Sequence, residues 1–427
     1  MKLINVKKLP GVKKTFILGI PLITRRNDGN KFYYDCLGIQ VFSRKHLPAK
    51  QQPAATTVKK ESAPAKITAP TVVNSSRVLD NNYLNIAVRL TGGLGDLLVS
   101  ANYLHKLMEH LDSNQVRLYV FAHKDLNVAR AVFRGLPFVY SLGTLEDIPD
   151  NDRTFDLFFE IQRYPFIRWQ NRARIFRYSP KLIELVFLWE RFRVENSRFW
   201  FRAPWFDGQN QLEIIKGRKR IQQPDVYGRL GLDESFGPKL MISKAREACL
   251  DKFDLNGKKF ITIHRGVDTK IDKDSNKLWP MAYYNILISE IKKEFPEYLI
   301  VQLGANTERC PEMEGVDRYI AGKTDFDDLK ILLKEASLHI DGEGGMVHLR
   351  HALHGGRSLV FFGPTSKSFY GYSENINLSG NGCGCKEGCE WTSTNWQSKC
   401  IAGYARNVCM RSLIPEVAVN SLKGILK

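Results

Sequence analysis

A glycine-rich turn between a strand and a helix is the stretch of the sequence best suited to bind phosphate. The apolar run 336–340 predicts a buried strand, and Asp341-Gly-Glu-Gly-Gly-Met-Val-His348 follows it directly. The glycines allow close backbone approach to a ligand, and the helix start offers unpaired N–H groups and the positive end of its dipole. A tight βα connection without any ligand would give the same pattern. The candidate nucleotide-binding residues here are Asp341, Gly344, Gly345, Met346 and His348.

Three more apolar strands end in loops that would meet this turn at one edge of a parallel sheet. They are residues 260–263, 298–303 and 359–362, and helical stretches lie near 281–295 and 325–336. The carboxyl ends of strands in such a doubly wound sheet line one crevice, which is suited to a nucleoside diphosphate. Further candidates for that site are His264, Arg265, Gly266, Lys277, Gly304 and Thr365.

A second glycine-rich turn, Thr91-Gly-Gly-Leu-Gly-Asp96, links a predicted strand over 84–90 to a helix. Its glycine spacing differs from the dinucleotide fingerprint G-x-G-x-x-G, and no ribose-binding acid follows at the expected distance. The alternative is that the turn holds Asp96 at the carboxyl end of the strand, facing a cleft. Gly93 and Gly95 would line the same side of that cleft.

The region between residues 163 and 220 is rich in arginine and aromatic residues, in a chain of formal charge +18. Such a charge points to an acidic partner: nucleic acid, an anionic membrane or a phosphorylated substrate. No recognisable nucleic-acid-binding module surrounds these residues, so an acceptor-binding or membrane-facing surface fits better. Arg163 and Arg168 are the acceptor-side candidates. A solvated basic face over an aromatic core stays open as the alternative.

Composition divides the 427 residues into four segments. Residues 1–45 carry a short repeat around a turn and predict a small basic β-hairpin, and the Pro-, Ala- and Lys-rich residues 46–80 predict a flexible linker. Residues 81–255 and 256–427 predict two α/β domains with parallel sheets, the second ending in a helix from Pro415 to Leu426. The chain has neither an apolar run of transmembrane length nor a signal-peptide core, which predicts a cytosolic protein.

Five of the eight cysteines lie between residues 383 and 409. In a cytosolic chain such a cluster is more typical of a metal site than of disulfides. Free thiols packed in a small loop are the alternative.

Several motifs in order resemble those of the family 9 glycosyltransferases, best known as ADP-heptose:lipopolysaccharide heptosyltransferases. The similar segments extend over residues 83–427, weakly through 120–255. They are Val88-Arg-Leu-Thr-Gly-Gly-Leu-Gly-Asp96, Lys277-Leu-Trp-Pro280, Ala321-Gly-Lys-Thr324, the Asp341–His348 turn, Phe362-Gly-Pro-Thr365 and Cys409-Met-Arg-Ser-Leu-Ile-Pro-Glu416. The resemblance implies a GT-B architecture, in which two Rossmann-like domains face a cleft with the nucleotide sugar in the C-terminal one.

The resemblance also implies roles for individual residues. Asp96 resembles the catalytic base, Lys277 the lysine that neutralises the donor diphosphate, and Thr365 a residue lining the cleft. No divalent metal is expected at the reaction centre. His264-Arg265-Gly266 departs from the Thr or Ser usual there, and residues 267–276 are an insertion before Lys277.

The cysteine cluster resembles the four-cysteine iron site of the bacterial autotransporter heptosyltransferases, which glycosylate protein. Four thiolates suit zinc and iron equally well. The preferred ligands of this structural site are Cys385, Cys389, Cys400 and Cys409, which leaves Cys383 spare.

These observations predict an inverting glycosyltransferase that uses a nucleotide-sugar donor similar to ADP-heptose. Its acceptor would be a lipopolysaccharide, another surface glycan or a protein. The expected location is the cytoplasm, with peripheral contact to an anionic inner membrane and an oligomer both compatible with the sequence, and nucleic acid is not an expected partner. The alternative function is a non-catalytic GT-B protein that recruits acidic or membrane partners.

Overall fold

The computed structural model divides the chain into two compact units, residues 1–68 and 69–427. In the first unit it describes the backbone of five strands between residues 4 and 45. In the second it describes residues 79–426 except 112–113, 123–124, 198–204, 267–274, 306–309, 381, 383, 386–387, 391–395 and 405–407. Most of the predicted linker 46–80 therefore lies outside the described residues.

The first unit is a five-stranded antiparallel sheet and not the single hairpin that was predicted. The strands follow one another in the sheet in chain order: β1 (Ile4–Leu9), β2 (Val12–Ile17), β3 (Ile20–Asn27), β4 (Lys31–Cys36) and β5 (Ile39–Lys45). The two halves of the sequence repeat fall on β3 and β5, and β4 separates them. The sequence Lys31-Phe-Tyr-Tyr-Asp-Cys36 is rich in aromatic residues, which favour strands, so it forms a strand of its own.

The N-terminal domain of the second unit contains a five-stranded sheet in the order β10-β9-β6-β7-β8. Its strands are β6 (Leu84–Leu90), β7 (Val116–Ala122), β8 (Ser141–Gly143), β9 (Leu157–Ile161) and β10 (Pro165–Gln170). The first four are parallel, whereas β10 runs antiparallel at the edge. The helices are α1 (Leu94–Leu111), α2 (Leu126–Phe133), α3 (Arg172–Tyr178), α4 (Pro180–Glu195), α5 (Trp205–Ile215) and α6 (Arg246–Lys252). The glycine-rich turn thus lies between the central strand β6 and α1.

The C-terminal domain has a fully parallel six-stranded sheet in the order β13-β12-β11-β14-β15-β16. The strands are β11 (Phe260–Ile263), β12 (Leu299–Gln302), β13 (Arg318–Tyr319), β14 (Leu338–Gly342), β15 (Ser358–Phe362) and β16 (Ile376–Ser379). The helices are α7 (Met281–Glu294), α8 (Phe326–Glu335), α9 (Gly345–Ala352), α10 (Lys367–Tyr370), α11 (Val408–Arg411) and α12 (Pro415–Leu422). The predicted α/β class with two Rossmann-like, parallel-sheet domains is therefore confirmed.

Apolar packing joins the two domains of the second unit. One cluster of buried side chains runs from the N-terminal sheet and α1 to α8 and α9 of the C-terminal domain. A second cluster lies on the other face of the C-terminal sheet and includes Leu287 of α7 and Leu422 of α12. The last helix therefore packs as a brace on the C-terminal domain. Since α1 contacts α9, the two glycine-rich turns lie next to each other.

Within the described part of the chain, no helix combines the length and the apolar character needed to cross a membrane.

Candidate active site

Asp96 lies in the first turn of α1, where a carboxylate is favoured by the helix dipole. The backbone of Gly92 has φ +111°, and a Cβ there would lie 2.3 Å from Asp96 Oδ2. Only glycine fits this position, because both the conformation and the space exclude a side chain. The backbone N–H of Gly93 donates to Asp96 Oδ2 at 3.3 Å. The turn thereby holds the carboxylate at the carboxyl end of β6, as predicted.

Two buried arginines bind the Asp96 carboxylate. Arg163 Nη1 donates to Oδ1 at 3.1 Å, and Arg220 Nη2 donates to the same oxygen at 2.7 Å. Burial alone would raise the pKa of Asp96, but the charges of Arg163 and Arg220 outweigh burial and lower it. The Asp96 side chain keeps 31% of its surface exposed while Arg220 keeps 3%. The Asp96 carboxylate is therefore ionised and partly exposed to solvent, whereas the two arginines that bind it are buried.

Arg220 is a site residue that the sequence analysis missed. It lies in the 3₁₀ turn Arg220–Gln222, at the end of the basic run Lys216-Gly-Arg-Lys-Arg220. Its neighbour Ile221 is buried. The basic run was interpreted as part of a charged surface, and its last residue carried no local signal that it points inward. Arg163 was predicted on the acceptor side and does lie beside Asp96.

The C-terminal half of the site is built around Lys277 and Glu343. Lys277 Nζ lies 2.5 Å from Glu343 Oε2, and both side chains are largely buried. His348 Nε2 lies 3.8 Å from Glu343 Oε1. Burial would raise the pKa of Glu343, but Lys277 and His348 lower it to about 2. Glu343 is thus the ion-pair partner of Lys277. It was not among the predicted site residues.

The two halves of the site meet at His348. A Cβ on Gly95 would lie 2.6 Å from His348 Cδ2, so the N-terminal turn passes against the imidazole with no room for a side chain. His348 Nδ1 hydrogen-bonds Tyr372 Oη at 2.6 Å, which fixes the ring. Gly344 caps α9 without a side-chain hydrogen bond. The N-cap residue therefore leaves the first backbone N–H groups of α9 uncapped, at the contact with the Asp96 turn.

His264 and Asp341 are brought together at the carboxyl ends of β11 and β14. His264 Nδ1 lies 2.9 Å from Asp341 Oδ2, and Asp341 is 2% exposed. Burial disfavours the charged imidazole, but Asp341 and Cys310 overcome that effect and raise the pKa of His264 to about 10. Arg265 Nε donates to the Trp279 carbonyl and so supports the chain just after Lys277.

The remaining predicted residues fall into two groups. Thr365 is buried beyond the end of β15, Met346 packs partly buried against the first apolar cluster, Gly266 lies against His264 and Gly304 lies against Cys310. Arg168 is on the edge strand β10, with its Nη1 atom 3.8 Å from Glu160 Oε2. The structure thus brings Asp96, Arg163, Gly93 and Gly95 to His348 and the Lys277 pair, but leaves Arg168 along the sheet edge.

A further carboxyl group near the centre, Glu390, was also not predicted. Asn210 Nδ2 donates to Glu390 Oε1 at 3.1 Å and to Tyr370 Oη at 3.2 Å. Burial, followed by the charge of Glu343, raises the pKa of Glu390 to about 7. Glu390 follows the cysteine-rich stretch, and its backbone N–H donates to the Pro364 carbonyl. The site therefore contains one carboxyl group that is half protonated near neutral pH.

The described cysteines do not fit the four-thiolate metal site that was expected. Among the residues that the structure describes, no three His, Cys, Asp or Glu side chains lie close enough together to hold a metal ion. Cys409 is on α11 and packs against the second apolar cluster, whereas Cys385, Cys389 and Cys400 lie in loops. Within the described residues, the preferred ligands are thus not assembled into one site. The spare Cys383 lies outside the described residues.

Residues 217–397 match the sequence model of glycosyltransferase family 9 (heptosyltransferase). This stretch is a family 9 glycosyltransferase domain. The resemblance predicted from the motifs is thereby confirmed, and the match indicates that the protein is a glycosyltransferase. The matched stretch of the family 9 domain contains Arg220, Lys277, Glu343 and His348. No curated protein gives a significant sequence match to the chain.

Solved structures of heptosyltransferases resemble the chain in fold. TibC, an iron-containing dodecameric glycosyltransferase of enterotoxigenic E. coli, is 13% identical with a TM-score of 0.52, over 80% of this chain and 76% of TibC. The E. coli ADP-heptose lipopolysaccharide heptosyltransferase II is 15% identical with a TM-score of 0.49, over 80% and 98%. A family 9 protein of Veillonella parvula is 14% identical with a TM-score of 0.47, over 83% and 99%. The likeness to TibC supports a GT-B-like arrangement of the two Rossmann-like domains.

Proposed function

We propose that the protein transfers a sugar, heptose first among the candidates, from a nucleoside diphosphate donor to an acceptor hydroxyl with inversion at the anomeric carbon. The observation that carries this proposal is the contact between the two turns. It places the partly exposed Asp96 carboxylate next to the uncapped N-terminus of α9, His348 and the Lys277–Glu343 pair.

The C-terminal half would hold the donor. Lys277 supplies a positive charge, and the uncapped N–H groups of α9 supply the geometry that phosphate oxygens prefer. In this structure Glu343 satisfies Lys277 at 2.5 Å, so a diphosphate would compete with Glu343 for the lysine. Stabilising the charge of the departing diphosphate with fixed groups lowers the barrier to breaking the glycosidic bond.

The N-terminal half would activate the acceptor. Asp96 is ionised at neutral pH because two arginines hold its pKa low, and it need only take the proton as the new bond forms. Both arginines bind Oδ1, whereas Oδ2 receives the long 3.3 Å hydrogen bond from the Gly93 N–H. We therefore assign Oδ2 as the atom that accepts the proton. A single displacement by the acceptor hydroxyl inverts the anomeric carbon.

The edge strand β10 would guide the acceptor towards Asp96. It begins at Pro165, two residues after Arg163, and its six residues span about 20 Å. Alongside it lies a cavity of about 240 Å³ whose lining includes Trp169, Trp189, Arg168 and Arg193. Aromatic rings beside guanidinium groups suit a sugar or peptide that carries negative charge.

The exposed Phe187 and Val194 of α4 also suit peripheral contact with an anionic membrane on the cytoplasmic side.

The nature of the donor is tested by calorimetric titration of the protein with ADP, GDP and UDP, followed by ADP-heptose. We expect selective binding of ADP, since TibC, which resembles this chain with a TM-score of 0.53, was solved with ADP-D-β-D-heptose. Preference for UDP or GDP would discard heptose but keep the assignment of Asp96. If no nucleotide binds, the alternative function, a GT-B-like protein that recruits acidic partners, gains support.

We also propose that the protein forms an oligomer. Light scattering in solution, which measures the mass of the assembly, tests this proposal. The TibC chain is dodecameric according to its structure.

A further inference from the structure

Cys310 forms a cluster with two residues of the donor side, although sugar transfer gives the thiol no role. Its Sγ lies 4.0 Å from His264 Nε2, and His264 Nδ1 lies 2.9 Å from Asp341 Oδ2. His264 and Asp341 lie at the ends of the neighbouring strands β11 and β14, and Cys310 belongs to the segment that follows the adjacent strand β12. A thiol, an imidazole and a carboxylate in this order form the arrangement that activates a cysteine nucleophile.

The carboxylate end of the cluster is itself held in place. His339 Nε2 lies 3.5 Å from Asp341 Oδ2, and His339 Nδ1 lies 3.0 Å from Thr262 Oγ1. Both His339 and Asp341 are almost fully buried. Asp341 therefore orients the His264 ring so that Nε2 faces the sulfur.

The charges in the cluster favour a thiolate beside an imidazolium. Burial raises the pKa of the Cys310 thiol, but the hydrogen bond and charge of His264 outweigh burial and lower it. Cys249 provides the contrast within the same chain, since burial and Asp328 raise its pKa to about 12. Because the thiolate is the reactive form, two buried cysteines of one protein should differ strongly in reactivity.

We propose that Cys310 is a site of oxidation by small hydroperoxides and that its oxidation weakens donor binding. The Cys310 thiolate attacks one oxygen of hydrogen peroxide, the S–O bond forms and the O–O bond breaks. The sulfur is oxidised to a sulfenic acid, and the peroxide oxygen that leaves as hydroxide is reduced. That hydroxide takes the proton from His264 Nε2 and departs as water.

The size of the oxidant follows from the burial of the residue. Cys310 is 6% exposed, so hydrogen peroxide reaches the sulfur more readily than a bulky reagent does. Oxidation removes the negative charge opposite His264 and adds an oxygen atom next to it. His264 and Asp341 border the proposed nucleotide site, so this change alters the donor side directly. Only this link to donor binding rests on the proposed function.

The oxidation is tested by treating the full-length protein with graded hydrogen peroxide, removing the peroxide, unfolding the protein in urea that contains dimedone to trap sulfenic acid, and locating the label by mass spectrometry. We expect Cys310 to be labelled at least tenfold faster than Cys249. In His264→Gln the labelling of Cys310 should fall at least tenfold, with circular dichroism confirming the fold. Asp341→Asn, which keeps the size of the side chain, should lower the rate in the same direction. Equal labelling of Cys310 and Cys249, or an unchanged rate in both variants, would overturn the oxidation site.

The link to donor binding is tested by titrating ADP into oxidised and reduced protein. We expect oxidation to weaken ADP binding at least fivefold, and Cys310→Ser protein to keep its affinity after the same treatment. If Cys310 is oxidised but ADP affinity is unchanged, the link to donor binding is wrong. Reduced protein that binds no ADP at all would instead count against the proposed function, and labelling of Cys310 would be unaffected.

Discussion

The two halves of the site are assembled in different ways. In the C-terminal half, His264, Asp341 and Thr365 all lie at the carboxyl ends of neighbouring parallel strands, so the sheet topology brings them together. In the N-terminal half, the turn after β6 supplies only Asp96, and its partners Arg163 and Arg220 come from 67 and 124 residues further along. Strand order therefore brings the strand-end residues of the C-terminal half together, whereas the position of Asp96 depends on ion pairs with distant parts of the chain, as does the Lys277–Glu343 pair.

This difference implies a division of labour. The N-terminal half combines an exposed carboxylate with two buried arginines, an arrangement that sets the charge of a base. The C-terminal half combines a lysine with an uncapped helix N-terminus, an arrangement that binds an anion. Substitutions in the first half should change the rate of transfer, and substitutions in the second should change the affinity for the nucleotide.

The largest effect is expected from Asp96→Asn. The amide has nearly the same shape but does not take up the proton, so we expect transfer to fall by roughly 10²–10⁴-fold. Single-turnover measurement of sugar transfer checks this result. Asp233→Asn, at an exposed aspartate that hydrogen-bonds Ser235, is the matched control and should leave the rate unchanged.

Arg220→Met should produce the largest loss of stability. Arg220 is almost fully buried, whereas Asp96 is 31% exposed and keeps Arg163 as a partner, so loss of this charged hydrogen bond should cost about 1.5–3 kcal/mol. Loss of the guanidinium also raises the pKa of Asp96, so the acid limb of the rate profile should move to higher pH. Urea unfolding checks the stability, with Arg191→Met at an exposed pair as control. A stability loss no larger than that of the control would mean that the arginine does not hold Asp96.

Lys277→Met should weaken nucleotide binding by about 10–100-fold, since a hydrogen bond to a charged group contributes about 1.5–3 kcal/mol. Titration with ADP measures the effect. Lys293→Met removes a lysine that is 76% exposed and serves as the matched control. An unchanged affinity in Lys277→Met would remove the lysine from the donor site.

Glu390→Gln should have the smallest effect, visible as a change in pH dependence. The pKa of Glu390 in the fold is about 7, above its ordinary 4.5, so the native state holds this proton more tightly than the unfolded state does. Stability is therefore lost as pH rises from about 4.5 to 7. Between pH 5 and 7.5, the free energy of unfolding of the glutamine variant should fall by roughly 1–2 kcal/mol less than that of the wild type. Urea unfolding at the two pH values measures this difference. Parallel curves for the two proteins would contradict a raised pKa.

The sequence predicted the C-terminal half of the site, whose residues lie at strand ends, better than the N-terminal half. Strands β11, β12, β14 and β15 and helices α7 and α8 were expected within a few residues, because apolar runs and helical periodicity are local signals. Glu343 was missed although it lies in the same turn as Gly344, since the sequence does not say which acid meets Lys277. Arg220 was missed because a long-range ion pair leaves no periodic pattern.

Two other expectations also concerned contacts that the local sequence does not fix. The repeat in residues 1–45 was interpreted as two arms of a hairpin, but pairing between strands depends on what lies between them, and β4 separates the arms. The cysteine spacing predicted a common metal site, and no such cluster forms among the described residues, since spacing along the chain does not fix where α11 packs. In both cases local similarity was used to infer a contact that tertiary structure decides.

The division of labour is tested most directly by titrating ADP into Asp96→Asn protein in parallel with the wild type. We predict dissociation constants within twofold of each other, although transfer by the variant is lost. A loss of affinity as large as that of Lys277→Met would show that Asp96 serves nucleotide binding, and would contradict its role as the base of a separate acceptor half.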